Sequence, residues 1–466
     1  MSGLIEVDYL VVGAGAAGMA ITDELLAHSD ATVAIVDRRH APGGHWIDAY
    51  PFVRLHQPSS FYGVSSVPLG QDTIDASGLN AGFYELASAD QVRAYYAQVM
   101  RQVFIPSGRV RYFPCSEWAG GAQGRHRFVS RLTGEVREVR VRRKLVDTTY
   151  VQGQIPAVDP PPFGVAEGVR CIPAGEVTRI LDAPRRIDVI GAGKTALDTC
   201  VWLIEHGVPA SAIRWIKPRE GWWFNRRYHQ PHSYLPDFFA GMGMQLEAFA
   251  QADSVDNAFA RLEAEGFLLR VDPNVAPTMT HGAILSEAEL ALLRRIDNVV
   301  RLGHVRRIER DRILLEGGEI PTSDSTVHVH CAARGLPSKP PRPVFEADRI
   351  TVQPLFWSFA CYQSALLGVV EATLASDEEK NRLCQPIPYW DRNVDYLKAY
   401  LALLSSEWAR AEHPALATWA RDTRLNPLGH IGQYREHPLV VATRERIKEF
   451  GAAAAANLAR LVATAA

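Results

Sequence analysis

The sequence predicts an α/β fold with two Rossmann-like units and a helical C-terminal extension. Three observations predict it. A buried-strand pattern, a Gly-x-Gly turn, a helix pattern and a second strand follow one another near the N-terminus. The same succession returns in the middle of the chain, and a helical apolar stripe runs on from about residue 385. The 466 residues suit two or three domains, and 47% apolar residues suffice for sizeable cores. Lys and Arg total 50 against 52 Asp and Glu, a net charge of -2, so no electrostatic signature of nucleic-acid or anionic-membrane binding is expected.

The first unit begins at Val7-Asp8-Tyr9-Leu10-Val11-Val12, a run suited to a buried parallel strand. Gly13-Ala14-Gly15-Ala16-Ala17-Gly18 follows, then a helix pattern over Met19 to Ala27 and a strand over Ala31 to Val36 that ends at Asp37. Gly13 permits the tight turn, Gly15 lets a pyrophosphate approach the backbone, and Gly18 lets helix and strand pack closely. The helix start, including Ala16 and Ala17, offers N–H groups and a positive dipole end to phosphates. Asp37 stands where a carboxylate accepts hydrogen bonds from a ribose diol, and the full succession is the dinucleotide fingerprint. Beyond it lie Arg38, the paired glycines Gly43 and Gly44, His45 and Trp46. These suit a backbone passing close to a flat ligand.

Residues 60 to 90 read as loop, and Asp90 to Phe104 as a helix capped by Asp90. Arg127 to Leu132 and Glu135 to Val141 read as a hairpin turning at Thr133-Gly134. The arginines near 137–143 are its solvated face. Lys144 to Tyr150 reads as a strand. Gln154 to Pro162 is a proline-rich linker.

Arg185 to Ile190 then leads into Gly191-Ala192-Gly193-Lys194-Thr195-Ala196, a helix over Leu197 to His206 and a strand over Ile213 to Ile216. A P-loop reading fails because Asp188 stands where that motif needs glycine. Lys194 and Thr195 instead start a helix beside a dinucleotide pyrophosphate. This second strand ends in Lys217-Pro218-Arg219 with no acid. Cations there suit a 2′-phosphate, so NADPH is expected rather than NADH. Trp222, Trp223 and Phe224 face either the cofactors or the floor between domains.

Residues 233–300 read as largely helical, and Val305 to Ile320 as two strands around Gly317-Gly318. His328 and His330 share a strand face with no third ligand in sight. The six cysteines form neither a C-x-x-C pair nor a zinc pattern, so neither a metal site nor a redox dithiol is expected. The stripe Val394, Leu397, Leu401, Leu404, Trp408 is expected to be core or a homodimer contact, and Ala452 to Ala466 a terminal helix. The N-terminus shows no signal pattern, and Tyr9 to Ala20 is too short and glycine-broken to span a bilayer. A cytoplasmic enzyme is the expectation.

The segment Gly43-Gly44-His45-Trp46 and the stretch Tyr50-Pro51…Arg54-Leu55-His56-Gln57-Pro58-Ser59 resemble the two-dinucleotide flavin monooxygenases, which include N-hydroxylating, S-oxygenating and Baeyer–Villiger enzymes. The resemblance covers roughly residues 5–375. It implies FAD at the first site and NADPH at the second, with the NADPH unit (181–330) inserted in the FAD unit (1–180, returning over 331–380) and an extension over 381–466. It implies that NADPH reduces FAD and that a flavin peroxide then oxygenates a small organic substrate. It places Arg54, His56 and Gln57 beside the flavin edge, Thr149 where the family's strand ends A-T-G, and Gln363, Ser364 and Gly368 near the ring. Two departures stand out: Thr149 replaces glycine, and Phe163-Gly164 is not followed by the linker histidine of oxygenating members. N- or S-oxygenation or hydroxylation is therefore expected over Baeyer–Villiger chemistry. A flavin reductase or dehydrogenase without oxygen transfer, a non-catalytic flavin module and a one-motif aromatic hydroxylase are the alternatives.

Overall fold

The computed structural model describes residues 4–333, 335, 337–356 and 358–465. In the first unit, β1 (Ile5–Val12), α1 (Ala16–His28) and β2 (Val33–Val36) form a strand–helix–strand start, with the glycine turn joining strand to helix. After the loop region, α2 (Ala89–Val99) runs through a wider turn at 100–104 to β3 (Val110–Phe113), β4 (Ser116–Ala122), β5 (Arg125–Ser130) and β6 (Val136–Asp147). Helix α2 is capped by Ser88, not Asp90. Ser88 accepts from the Gln91 N–H while Gln91 reaches back to the Ser88 N–H, a reciprocal pair that a lone first-turn acid cannot match. The predicted hairpin is present as β5 paired antiparallel with β6, and β6 runs on into the strand read separately at 144–150, ending at Asp147. Its outward arginines pair with surface acids, Arg140 with Glu6 and Arg142 with Asp8.

The second unit contains β7 (Gly164–Val165), β8 (Cys171–Pro173), β9 (Arg186–Ile190), α3 (Lys194–Glu205), β10 (Ile213–Ile216), β11 (Gly221–Asn225), α4 (Leu235–Gln251) and α5 (Val255–Ala264). It continues through β12 (Leu268–Leu269), β13 (Met279–Leu285), α6 (Glu287–Leu293), β14 (Val299–Val300), β15 (Val305–Ile308), β16 (Arg312–Leu315), β17 (Gly318–Pro321) and β18 (Thr326–His330). The chain then returns through β19 (Phe345–Glu346), β20 (Arg349–Thr351) and α7 (Ala360–Thr373), and ends with α8 (Asp377–Leu383), α9 (Asn393–Ala411), α10 (Pro414–Asp422) and α11 (Pro438–Thr464).

The first sheet has the order β19-β20-β6-β1-β2-β3, with β1 parallel to both β2 and β6 and β20 parallel to β6. β20 thus completes a sheet begun before residue 150, so the second unit is an insertion in the first. The second sheet has the order β14-β10-β9-β18-β8. Because β8 pairs with β18, and β7 with β15, residues ahead of 181 already contribute to the second unit's sheets. Three strands, not two, fill 305–321.

The stretch 233–300 is only partly helical. β11, β12 and β13 make a separate three-stranded sheet, and its side chains Trp222, Trp223 and Phe224 are 6%, 3% and 1% exposed. Trp222 stacks on Phe259 and Phe224 packs on Phe267, so these aromatics are core rather than cofactor contacts. The stripe on α9 is likewise interior. Leu397, with Tyr396 and Tyr400, packs against Phe249 of α4 and Leu458 of α11, whereas Trp408 is 58% exposed. Helix α11 begins well before Ala452, and Ala466 lies outside the described residues. No helix among the described residues is long and apolar enough to cross a membrane.

Candidate functional site

The strand ends of both sheets lead into glycine turns, and those turns are alike in one physical respect. Helices α2, α5, α6 and α8 are each capped by a serine side chain. Helices α1 and α3 start instead on Gly15 and Gly193, with extended cap backbones, no capping side chain and no acid in the first turn. The N–H groups of their first two residues have no hydrogen-bond partner among the described residues and stand at the positive end of a helix, the arrangement that binds phosphate.

Gly13 has φ +107°, which L side chains rarely adopt, and a Cβ there would run into the Thr148 hydroxyl. A Cβ on Gly18 would collide with the Gly13 carbonyl oxygen, which is the close packing of helix on strand that the third glycine provides. Gly44 passes directly over Gly15, and the Gly43 N–H donates to the Ala14 carbonyl at 2.8 Å. In the second turn, a Cβ on Gly193 would meet open space.

Asp37 is 4% exposed, and its carboxylate accepts the Ala14 and Arg39 N–H groups at 2.6 and 2.7 Å. One bond on each oxygen braces the turn and leaves further lone pairs for ribose hydroxyls. Beside it, on β3, the buried Tyr112 hydroxyl has no partner among the described residues, and burial together with Asp37 raises its pKa. An orphaned donor next to the ribose acid fits an adenosine. Arg38 is exposed at this same edge. The residue that closes over the turn is Thr148, whose hydroxyl donates to the Val12 carbonyl at 2.6 Å. Thr149 instead caps back onto Asp147.

Between the units, the segment after the paired glycines docks on α3. The Tyr50 hydroxyl donates to Asp198 at 2.7 Å, and Phe52 stacks on Trp202 with ring centroids 5.0 Å apart. Lys194, the first residue of α3, pairs with Asp198, and its ammonium also lies 3.7 Å from Glu289. Glu289 takes Arg226 at 2.7 Å, and Arg226 reaches Asn80 of the first unit at 3.1 Å. Burial pulls the Lys194 pKa down, but Asp198 and Glu289 outweigh it and the net shift is upward.

His56 sits at this network. Burial, with Lys194 and Arg226 adding to it, drives its pKa to about 3, and its buried Nδ1 has no partner. His229 is held at about 4 by burial. Gln57 is buried alongside, at 6% exposure. His45 is open at its surface yet recessed enough that burial, then Arg39, lowers it to about 4. His56 and His229 are therefore neutral at pH 7.

Beyond the ends of β6 and β20, a shallow cleft with about 20 Å³ of enclosed space is lined by Tyr150, Gln353 and Pro354, with Ile387, Tyr389 and Trp390 from the extension. Ligands of open α/β sheets bind outside such strand ends.

Several of the expected residues make contacts within the protein. Arg54 is exposed, and among the described residues its only side-chain bond is a long one, 3.4 Å, to the Leu86 carbonyl. Trp46 is buried and donates its indole N–H to Tyr62 at 2.7 Å, a packing role. The Gln363 side-chain oxygen is taken by the Leu355 and Phe356 N–H groups. Ser364 bonds its own helix, and Gly368 is where α7 meets α1. Lys217 is 2% exposed and bound to Glu220 at 2.7 Å, while Arg219 clamps Asp391 with two bonds of 2.7 and 2.8 Å. Neither cation is unpaired, so the charge argument for NADPH loses its simplest form. Thr195 stays at the α3 start, near Tyr50. His328 lies 3.0 Å from Asp188, and no metal-holding cluster occurs among the described residues.

Two glycine cradles on two Rossmann units, one inserted in the other, define a two-dinucleotide-binding fold. A family model described as an NAD(P)-binding Rossmann-like domain matches residues 11–52. Uncharacterized protein Rv2000 of Mycobacterium tuberculosis and Uncharacterized protein Mb2023 of Mycobacterium bovis are each 42% identical over 440 residues, covering 93% of this chain and 81% of theirs. The chain belongs to the family of these mycobacterial proteins. Among solved structures, it shares its fold with an oxidized steroid monooxygenase bound to NADP (14% identity, TM-score 0.51, 95% of this chain and 98% of that one). It shares it also with an ε-caprolactone-bound cyclohexanone monooxygenase (13%, TM-score 0.50, 96% and 99%).

Proposed function

We propose that this protein is an FAD- and NADPH-dependent oxidoreductase that uses dioxygen to oxygenate a small organic substrate, with N- or S-oxygenation or hydroxylation favoured over Baeyer–Villiger chemistry. The observation that carries the proposal is the pair of uncapped glycine-started helices, α1 and α3, joined by the Tyr50–Asp198 contact. The structures that share this fold include one described as NADP-bound, which supports the second cofactor. The preference against Baeyer–Villiger chemistry rests on the absent linker histidine after Phe163-Gly164, which here enters strand β7.

In this reading, the first turns of α1 and α3 hold the two pyrophosphates, and Asp37 and Tyr112 hold the FAD adenosine. Flavin, when bound, supplies the redox and oxygen chemistry. The chain's own contribution is orientation and exclusion of water. Tyr50, Asp198 and Lys194 fix the two units against each other. His56, neutral and with a free Nδ1, is a hydrogen-bond group that gains no charge at neutral pH.

The test starts with purified protein. Bound FAD should give a yellow colour, and NADPH added without air should bleach it. When air and candidate amines or sulfides are then admitted, oxygen uptake should match oxygenated product. Oxygen uptake matched instead by hydrogen peroxide for every candidate, or reduced flavin that persists in air, would point to an oxidase or a reductase. Protein that takes up no FAD at all would end the proposal.

A further inference from the structure

We infer that Asp391 is the specificity-determining residue of the second dinucleotide site, setting how strongly that site prefers a 2′-phosphorylated cofactor. The inference rests on the proposal that the end of β10 receives the adenosine ribose.

Three cations gather there: Lys217, Arg219 and Arg301. Lys217 and its partner Glu220 are each 2% exposed, and the ammonium lies 4.0 Å from the centre of the Trp215 ring. Drawing Lys217 toward a ligand would leave a buried carboxylate with less charge to balance it, which is costly. Arg301 shares the same Glu220 at 2.7 Å and also holds Asp272 at 2.8 Å, so its removal carries the same penalty. Arg219 differs. It is 32% exposed, its partner Asp391 is 26% exposed, and the two-pronged pair they form is open to solvent. A guanidinium in this state can exchange one anion for another at small cost.

Asp391 is no loose surface charge. Its backbone carbonyl accepts the Thr280 N–H at 2.9 Å, and next to it Thr280 Oγ1 and Asn393 Oδ1 are 3.0 Å apart. His281 Nε2 lies 2.7 Å from the same carboxylate. The carboxylate is therefore fixed against Arg219 by the backbone of β13 and by the segment that also places Trp390 at the cleft. A 2′-phosphate approaching Arg219 must displace this carboxylate or sit against it, like charge to like. A ribose 2′-hydroxyl meets no such opposition and can donate to Asp391.

The test is calorimetric titration of the FAD-loaded protein with NADP⁺ and NAD⁺. In the wild type the two affinities should lie within about tenfold of each other. Asp391→Asn should tighten NADP⁺ by about tenfold or more, the size expected for one freed charge-assisted pair, and leave NAD⁺ within about twofold. Adding Arg219→Gln to that variant should remove the gain. Arg219→Gln alone should weaken NADP⁺ by about tenfold, since it leaves the Asp391 carboxylate unmatched against the 2′-phosphate, and leave NAD⁺ within about twofold. This last measurement stands even if Asp391→Asn fails to fold. Equal shifts for both cofactors in either single variant, or no shift for NADP⁺, would overturn the inference while leaving the second site intact. A wild type that binds neither cofactor would overturn both the inference and the site on which it rests.

Discussion

Tyr50 and Asp198 stand 148 residues apart in sequence and are joined by a 2.7 Å hydrogen bond that crosses from the first unit to α3 of the second. Tyr50 follows the glycines that lie over Gly15, and Asp198 sits one turn after Lys194, so this bond ties one cradle to the other. Removing the hydroxyl leaves Asp198 with Lys194 alone in a buried setting. Tyr50→Phe should cost roughly 1–3 kcal/mol of stability by denaturant unfolding. It should also slow flavin reduction by NADPH more than it weakens FAD binding. A variant with unchanged stability and unchanged reduction rate would remove this contact from the account.

The glycines of the two turns should respond in opposite ways. A Cβ on Gly18 meets the Gly13 carbonyl oxygen and the Val11 side chain, so Gly18→Ala should destabilise the first unit by about 3 kcal/mol or more and yield protein without FAD. A Cβ on Gly193 meets nothing within 4 Å. Gly193→Ala should therefore unfold within about 1 kcal/mol of the wild type and still bind NADP⁺ several-fold more weakly, because the open space is where a pyrophosphate must approach. Unfolding and NADP⁺ titration of the two variants side by side give the comparison. An unimpaired Gly18 variant, or a Gly193 variant with full NADP⁺ affinity, would contradict it.

This contrast shows what could be read from the chain alone. Gly13, Gly15, Gly18 and Asp37 were legible because strand, turn, helix and acid are local in sequence, and each residue type has one physical use there. Strand β10 was legible to the residue for the same reason. The polar network was not. Arg226 meets Glu289 across 63 positions and Arg219 meets Asp391 across 172, and no periodicity marks such pairs. Lys217 and Arg219 therefore looked like free cations when each already had a carboxylate. The orientation of Arg54 is hidden in the sequence for a related reason. Which side chains of its segment turn inward depends on the bridge it forms with Ser88. For Trp222 to Phe224 the sequence leaves a cofactor wall and a floor between domains equally open, because nothing local announces that Phe259 and Phe267 pack on them.

Acid should act through the buried imidazoles. His56 and His229 are held at about 3 and about 4, below the ordinary value near 6.5, chiefly by burial. The unfolded chain thus binds more protons than the folded one once the pH drops below about 6.5. Stability that is fully present above that value is lost as pH falls toward 4, by up to about 1.4 kcal/mol per pH unit for each group. Glu24 acts in the opposite sense. Burial raises it to about 7, so its contribution is present below its ordinary value near 4.5 and fades as pH rises through 7. The diagnostic is therefore a difference in slope. His56→Gln should flatten the dependence of unfolding free energy on pH between 4 and 6 by about one proton's worth. Denaturant unfolding at several pH values measures it, and parallel curves for the variant and wild type would show that His56 is not held neutral.

Arg424 offers the sharpest test of the C-terminal extension. Its guanidinium donates to the carbonyls of Ser60, Tyr62, Val64 and Val67 at 2.7 to 3.1 Å, gathering a loop of the first unit onto the segment after α10. That loop carries Tyr62, which takes the Trp46 indole N–H two residues from Gly44. A planar fork with five donors can serve four carbonyls at once, whereas an ammonium on a flexible stem cannot. Arg424→Ala should cost about 3 kcal/mol and reduce FAD retention, because buried carbonyls lose a charged donor and the support behind the paired glycines loosens. Arg424→Lys should recover less than half of that loss. Positive charge alone does not reproduce the fork, so thermal midpoint and bound flavin should fall together in both variants. A lysine variant with wild-type midpoint and full flavin would mean that charge, and not the geometry of the fork, holds the extension in place.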